Sequence, residues 1–255
     1  MLSDKTSAAI GGGSKVTACT QQLVTRCDGD SLTMCMDSII QEVEYTLTIN
    51  GAKRRTFTCS PWNVKELVIG SLFTLGEIDR FDQVLKVIID DECGMVDIEL
   101  ISPAVLRQNG PGFSSFIPIT SSLTVAMADV KACMSLLESR SLLFRRTGGV
   151  HSAVLADSGK ITAWFEDIGR HNALDKLVGW CLLNSVDVAD KMILFSGRVP
   201  QEIAERVIRL GCPIVSSPGA PTTRSIEFAR RWGLTLIGFA KGDAFNVYAH
   251  PERVV

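Results

Sequence analysis

From Val150 to Ala249 short apolar runs alternate with amphipathic stretches, and this alternation constrains the fold more than any other feature of the chain. It predicts strands at 150–156, 161–165, 191–195, 213–216, 234–239 and 245–249, and helices at 172–184, 200–210 and 222–231. Helices interleaved with short apolar strands imply βαβ units on a largely parallel sheet. In such sheets ligands collect beyond the carboxyl ends of the strands. The first two strands read as a hairpin around Asp157-Ser158-Gly159.

The first half is less regular. Residues 1–41, with Gly11-Gly12-Gly13-Ser14 among them, read as a flexible N-terminal segment. Glu42–Ile49 and Arg54–Cys59 flank Asn50-Gly51, a hairpin signal. Ser60-Pro61 predicts a helix start, with Ser60 as N-cap and Pro61 in the first helical position. The apolar face of that helix is Val64, Leu67, Val68 and Leu72. Strands are expected at 84–89 and 96–101, a loop rich in Gly, Pro and Ser at 110–122, and a helix at 125–139. The division expected is a segment 1–41, a small α+β subdomain 42–122 and an α/β domain 123–255.

Charge and cysteine usage exclude several functions. A formal net charge of −2 over 255 residues argues against a nucleic-acid coat, although Arg145, Arg146, Arg170 and Arg198 can form a local basic patch. No apolar run approaches the roughly 20 residues that span a bilayer, and the start lacks the pattern of a signal peptide. A cytoplasmic protein with no nucleic-acid or membrane partner is therefore expected. The eight cysteines are scattered and no two form C-x-x-C, so neither a zinc knuckle nor a dithiol redox site is supported. No metal site is expected. The cysteines read as buried thiols in a reducing compartment.

Five loops beside the expected strands concentrate the residues that suit phosphate. They are Thr147-Gly148-Gly149, with His151 just inside the next strand, Glu166-Asp167-Ile168-Gly169-Arg170, Ser196-Gly197-Arg198, Ser217 to Thr223, and Ala240-Lys241-Gly242-Asp243. Small residues let backbone approach a ligand, and hydroxyls, N–H groups, Arg and Lys bind its oxygens. The segment 165–176 is the densest, a strand-to-helix junction whose helix N-terminus favours anions. There Gly169 is expected to admit phosphate, Arg170 and Lys176 to supply charge, and Asp175, one turn from His171, to orient it. His151 and His171 are candidate acid–base groups or structural hydrogen-bonders, and His250 reads as structural or exposed. No standard phosphate-loop, dinucleotide or zinc-deaminase motif is present.

These segments resemble the FdhD/NarQ family of formate dehydrogenase accessory sulfurtransferases. The resemblance lies in Phe144-Arg-Arg-Thr-Gly-Gly-Val-His151, Glu166-Asp-Ile-Gly-Arg-His-Asn-Ala-Leu-Asp-Lys176, Ser196-Gly-Arg198, Ala220-Pro-Thr222, Leu234–Phe239, Phe245–Tyr248 and Cys59–Gly70, in order from Glu42 to Val254. It implies a cytidine-deaminase-like layered α/β fold and a homodimer. It also implies passage of persulfide sulfur from a cysteine desulfurase to the bis(molybdopterin guanine dinucleotide) cofactor of formate dehydrogenase, for which GDP is a mimic. The family's cofactor-binding segment falls on Phe239-Ala240-Lys241-Gly242-Asp243-Ala244. One departure stands out. The family carries its sulfur on a C-x-x-C loop, and the matching region, Gly112–Ser122, has no cysteine. Serine cannot form a persulfide, because the chemistry needs a thiolate. Cys133 is the nearest thiol, and its apolar helical setting reads as burial. Two functions stay open, a sulfurtransferase using a displaced thiol and a cofactor carrier that lacks the transfer step.

Overall fold

The computed structural model describes residues 18–101 and 116–255. Three sheets and six α-helices make it up among these residues. The expected loop 110–122 is described from 116 onward, and the tail ahead of residue 18 lies outside the described residues.

The segment expected to be flexible holds a hairpin instead. Strands β1 (Cys19–Asp28) and β2 (Ser31–Ile40) pair antiparallel along their whole length, with Gly29 at φ 57 in the turn. The Asp-Gly turn signal lies between two stretches whose apolar residues alternate only weakly, which is why pattern reading passes over it.

A second sheet has the order β4-β3-β6-β5, from β3 (Val43–Ile49), β4 (Ala52–Cys59), β5 (Val84–Asp90) and β6 (Met95–Leu100). The Asn50-Gly51 turn joins β3 to β4 as expected, both residues having positive φ. One face of this sheet, Tyr45, Leu47, Ile49, Val96 and Ile98, packs with Val64, Leu67, Val68 and Leu72 of α1 (Val64–Thr74). The helix starts three residues later than Ser60-Pro61 predicts, on Asn63 in the left-handed region. Ser60 is buried and bonds across the molecule, as described below.

The main sheet has the order β12-β11-β10-β9-β7-β8. Its elements are β7 (His151–Asp157), β8 (Lys160–Asp167), β9 (Met192–Phe195), β10 (Ile214–Ser216), β11 (Thr235–Lys241) and β12 (Ala244–Ala249). The connecting helices are α4 (Arg170–Leu183), α5 (Gln201–Leu210) and α6 (Thr223–Trp232). The sheet is mixed, which corrects the largely parallel expectation. Only the pairs β9–β10 and β10–β11 are parallel, while β7–β8, β7–β9 and β11–β12 are antiparallel. Tight turns at Ser158-Gly159 and Gly242-Asp243 reverse the chain, and only helical crossovers leave strands parallel.

Helix α2 (Met127–Arg140) covers one face of the main sheet through Val130, Cys133, Met134 and Leu137, and a short α3 (Leu142–Thr147) leads into β7. On the other face α4 and α5 pack in the same core that α1 and the four-stranded sheet share. That core runs across residue 122, so the portions on either side of it are not separately cored. Every side chain of β9 is buried on both faces, at about 1.5–3 kcal/mol each. Gly70 of α1 and Gly179 of α4 face each other's helix, where a Cβ on either would strike the backbone of Asp175 or Glu66. The result is a layered α/β architecture in the sense expected.

Candidate functional site

Strand pairing brings the five loops to one edge of the main sheet. His151 pairs with Asp167, Ala153 with Phe195, Leu194 with Ser216, and Ser216 with Ile237. The starts of β7 and the ends of β8, β9 and β10 therefore lie side by side, and α4, α5 and α6 all leave from that edge with their N-termini there. Three such helix ends put unpaired N–H groups and positive dipole ends beside one another. Gly169 caps α4 without a side-chain hydrogen bond, and so does Pro200 for α5. Thr222 caps α6, accepting from the Ser225 N–H.

The loops after β9 and β10 form the centre of the site. Val199 N–H donates to Ala220 O at 3.1 Å, and the Ser217 hydroxyl donates to Gly197 O at 2.5 Å. Gly219 N–H donates to Ser217 Oγ at 2.9 Å, while Phe239 N–H donates to Gly219 O at 3.2 Å. A Cβ on Gly219 would lie 2.8 Å from Arg198 N, so only glycine permits this approach. Arg198 is exposed beside it. Phe239 sits at φ 53 with half its surface exposed, an open aromatic face at the same edge. Lys241, Gly242, Asp243 and Ala244 continue outward as the exposed tip of the β11–β12 ribbon.

On the other side, Ser196 Oγ accepts from the Ser152 N–H at 2.8 Å and lies 3.4 Å from His151 Nδ1. Burial, with Arg170 adding to it, lowers the His151 pKa, so this imidazole is neutral near pH 7. Burial likewise raises the Glu166 pKa, whose carboxylate accepts from Ser152 Oγ at 3.3 Å. Thr147 and Gly149 are half-buried at the end of α3, where Thr147 Oγ1 donates to Leu143 O and accepts from the Gly149 N–H. Gly148, at φ 66, is exposed.

The junction 165–176 divides into a surface and a foundation. Gly169, Arg170 and His171 are at the surface, half-buried. Asp167 and Lys176 have fully buried side chains and form an ion pair at 2.7 Å. Asp167 also accepts from the N–H groups of Gly169 and Ser60 and from the Asn172 amide, at 2.8, 3.0 and 3.0 Å. Lys176 donates to Glu166 O at 3.3 Å and stacks over the Trp62 ring, whose own N–H donates to Glu166 O. Ser60 Oγ accepts from the Ile168 N–H at 3.1 Å. Ser60 thus caps the turn into α4 rather than the start of α1.

Two assignments are corrected by this geometry. Lys176 has no free ammonium to offer a phosphate, because Asp167, Glu166 O and the Trp62 face enclose it. Asp175 does not orient His171: it bonds Thr74 Oγ1 at 2.9 Å and Arg206 Nε at 3.0 Å, while burial raises its pKa. His171 Nε2 faces Glu202 at 3.8 Å instead, and burial, then Arg206 and Arg170, lowers its pKa. His250 is structural, its ring nitrogens on Glu252 and Arg230 O. Ser60 and Trp62 support the site and are absent from the sequence-derived set. Ser60 and Trp62 lie more than a hundred residues from their partners, a separation that no local pattern reports.

The expectation of buried thiols holds for four cysteines and is corrected for the others, Cys19 and Cys35 being half-buried and Cys27 and Cys93 exposed. Cys133 is fully buried as expected, its pKa raised by burial and then by Asp129. Cys59, Cys181 and Cys212 are also buried, each pushed up to about 12 mainly by desolvation. A cleft of about 1010 Å³ lies at the opposite end of β9 and β10 and is lined by Ile117 to Leu123, Ala189, Asp190 and Gly211. Its lining includes the second half of the Gly112–Ser122 stretch. Its one arginine, Arg209, is held by Phe73 O, Ile78 O and Asp79, so the cleft lacks the free cations and open helix ends of the strand-end site.

The model of the FdhD/NarQ family matches residues 40–255. A sulfur carrier protein FdhD of Bacillus subtilis (strain 168) is 37% identical over 259 residues, covering 94% of this chain and 98% of that protein. A second, from Staphylococcus aureus (strain MRSA252), is 33% identical over 253 residues, covering 92% and 96%. The crystal structure of a formate dehydrogenase accessory protein from Desulfotalea psychrophila superposes with a TM-score of 0.81 at 22% identity, over 94% of this chain and all of that one.

Proposed function

This chain belongs to the FdhD/NarQ family, and we propose that it serves formate dehydrogenase as a sulfur-carrier-type accessory protein holding the guanine-nucleotide end of the molybdenum cofactor. The observation that carries the nucleotide reading is the strand-end edge, where Gly219 meets the backbone of Arg198 among three helix N-termini. In this reading the N–H groups at the start of α4 and the exposed Arg198 meet the diphosphate. Gly219 lets the two loops close on each other, and the open face of Phe239 stacks against the base. The cofactor is cargo, and the site's work is to bind and orient it. A cysteine desulfurase as sulfur donor and a second copy of the chain complete the assembly we propose.

The second reading keeps the site and omits the sulfur step. It is favoured by the absence of C-x-x-C from the whole sequence. It is favoured also by the burial of Cys59, Cys133, Cys181 and Cys212, which leaves these thiols protonated and unreachable.

Two experiments separate the readings. Calorimetric titration with GDP tests the site, and binding about tenfold weaker in Arg198→Ala is expected. Incubation with a desulfurase and cysteine, followed by mass spectrometry, tests carriage. Gain of one sulfur atom on a cysteine, discharged on adding cofactor, establishes the transfer step, and its absence leaves the carrier.

A further inference from the structure

The β1–β2 hairpin carries a surface that the candidate site does not use. Side chains alternate between the two sides of a strand, so paired residues share a face. The register Leu23–Met36, Thr25–Met34 and Cys27–Leu32 sets these six on one face, with Gln21–Ser38 and Cys19–Ile40 nearer the base. No charged residue lies on that face. The charges within the two strands, Arg26, Asp28 and Asp37, all lie on the other.

The base of the charge-free face is covered by the body of the protein. Ser38 Oγ accepts from Arg146 Nε at 3.0 Å, and Ile40 closes on Gly149. Further out the cover stops: Leu23, Leu32, Met34 and Met36 are 59%, 72%, 70% and 56% exposed. A two-stranded ribbon by itself is marginal in water, and this one has ten residue pairs with the outer part of its apolar side open. Four such side chains present an apolar patch on the order of 500 Å², at the top of what a monomer leaves uncovered. With the polar atoms beside them they approach the roughly 800 Å² that one partner contributes to a standard interface.

We propose that this face is where a second copy of the chain packs, the two hairpins stacking face to face about a two-fold axis. A face without charge offers nothing to an acidic or basic partner, and it complements itself. Two-fold pairing sets each Leu and Met against the same set on the other copy, closing a four-stranded sandwich at the usual sheet spacing of about 10 Å. The thioethers of Met34 and Met36 adapt to irregular gaps at such a seam. This names the face of the homodimer proposed above and rests on no nucleotide. Through Ile40 and Gly149 it seats the interface beside the Thr147–Gly149 wall of the site.

Sedimentation velocity on the full chain over a range of loadings tests it. The wild type is expected to be a dimer. Met34→Asp/Met36→Asp should weaken association at least 100-fold and leave the far- and near-ultraviolet circular dichroism of the body unchanged. Thr33→Asp, on the charged face, should leave the dimer intact. Leu23→Lys reads the same face should the double variant misfold. A wild type that stays monomeric at every loading overturns the proposal, as does a dimer that persists in either face variant. GDP titration of Met34→Asp/Met36→Asp is expected to match the wild type, so failure of the nucleotide site and failure of this interface remain distinguishable.

Discussion

The β8–α4 junction and the β1–β2 hairpin are opposite kinds of surface in one chain. At the junction, charged and polar groups are buried, and each oxygen of Asp167 has two partners. At the hairpin, Leu23, Leu32, Met34 and Met36 stand exposed. The junction is complete within one chain and holds a helix N-terminus open at its surface. The hairpin leaves its apolar face open, the face proposed above to meet a second copy. Substitutions in the two regions should therefore fail differently.

The largest effect is expected at the foundation of the junction. Lys176→Met leaves the Asp167 carboxylate buried and unpaired, which costs about 3–5 kcal/mol. Denaturant unfolding should show it, and Asp167→Asn/Lys176→Met should recover most of the loss. A single variant as stable as the wild type contradicts the buried pair. Next comes Gly179→Ala, where a methyl group meets the backbone of α1. It should destabilise by about 3 kcal/mol, and a neutral result would mean that the two helices lie further apart.

Arg198→Ala should leave the melting temperature unchanged and weaken GDP binding about tenfold, the loss of one charge-assisted contact. A smaller effect follows from the histidines. His151 and His171 have pKa values lowered from 6.5 in the fold, so below that pH the unfolded chain takes up protons that the folded one resists. Their contribution is complete above pH 6.5 and is lost as the pH falls through the window beneath it. His171→Asn should flatten the drop in melting temperature between pH 7 and 5, and a drop of unchanged size would remove His171 from its cause. The smallest expected effect is on the hairpin itself. Leu32→Ser should shift the unfolding free energy by less than about 0.5 kcal/mol in dilute solution, as exposed substitutions do.

Much of this was legible in the chain. The strand and helix order from Val150 onward follows from apolar periodicity, and the meeting of five loops follows from strand ends sharing one edge. The mixed sense of the sheet was not, because two turns and not the strands themselves decide it. The roles within 165–176 were legible only in part. Residue type marks Asp167, Asp175 and Lys176 as chemically able, yet burial is set by packing against Ser60, Trp62 and Thr74, far away in sequence. Gly169 and Arg170 stay at the surface of the junction, whereas His171 turns to Glu202 of α5 and not to Asp175. The hairpin at 18–40 escaped because polar residues interrupt the apolar alternation along β1, which leaves its Asp-Gly turn as the main mark.

The most direct test of the account is calorimetric titration of the full chain with GDP, alongside Arg198→Glu. That side chain is exposed beside Gly219, so the variant reverses the charge at this edge without touching the buried junction. The account predicts saturable heat at one site per chain in the wild type and none in an Arg198→Glu protein of normal melting temperature. Absence of heat in the wild type, or equal binding by the variant, would contradict a nucleotide site at this edge.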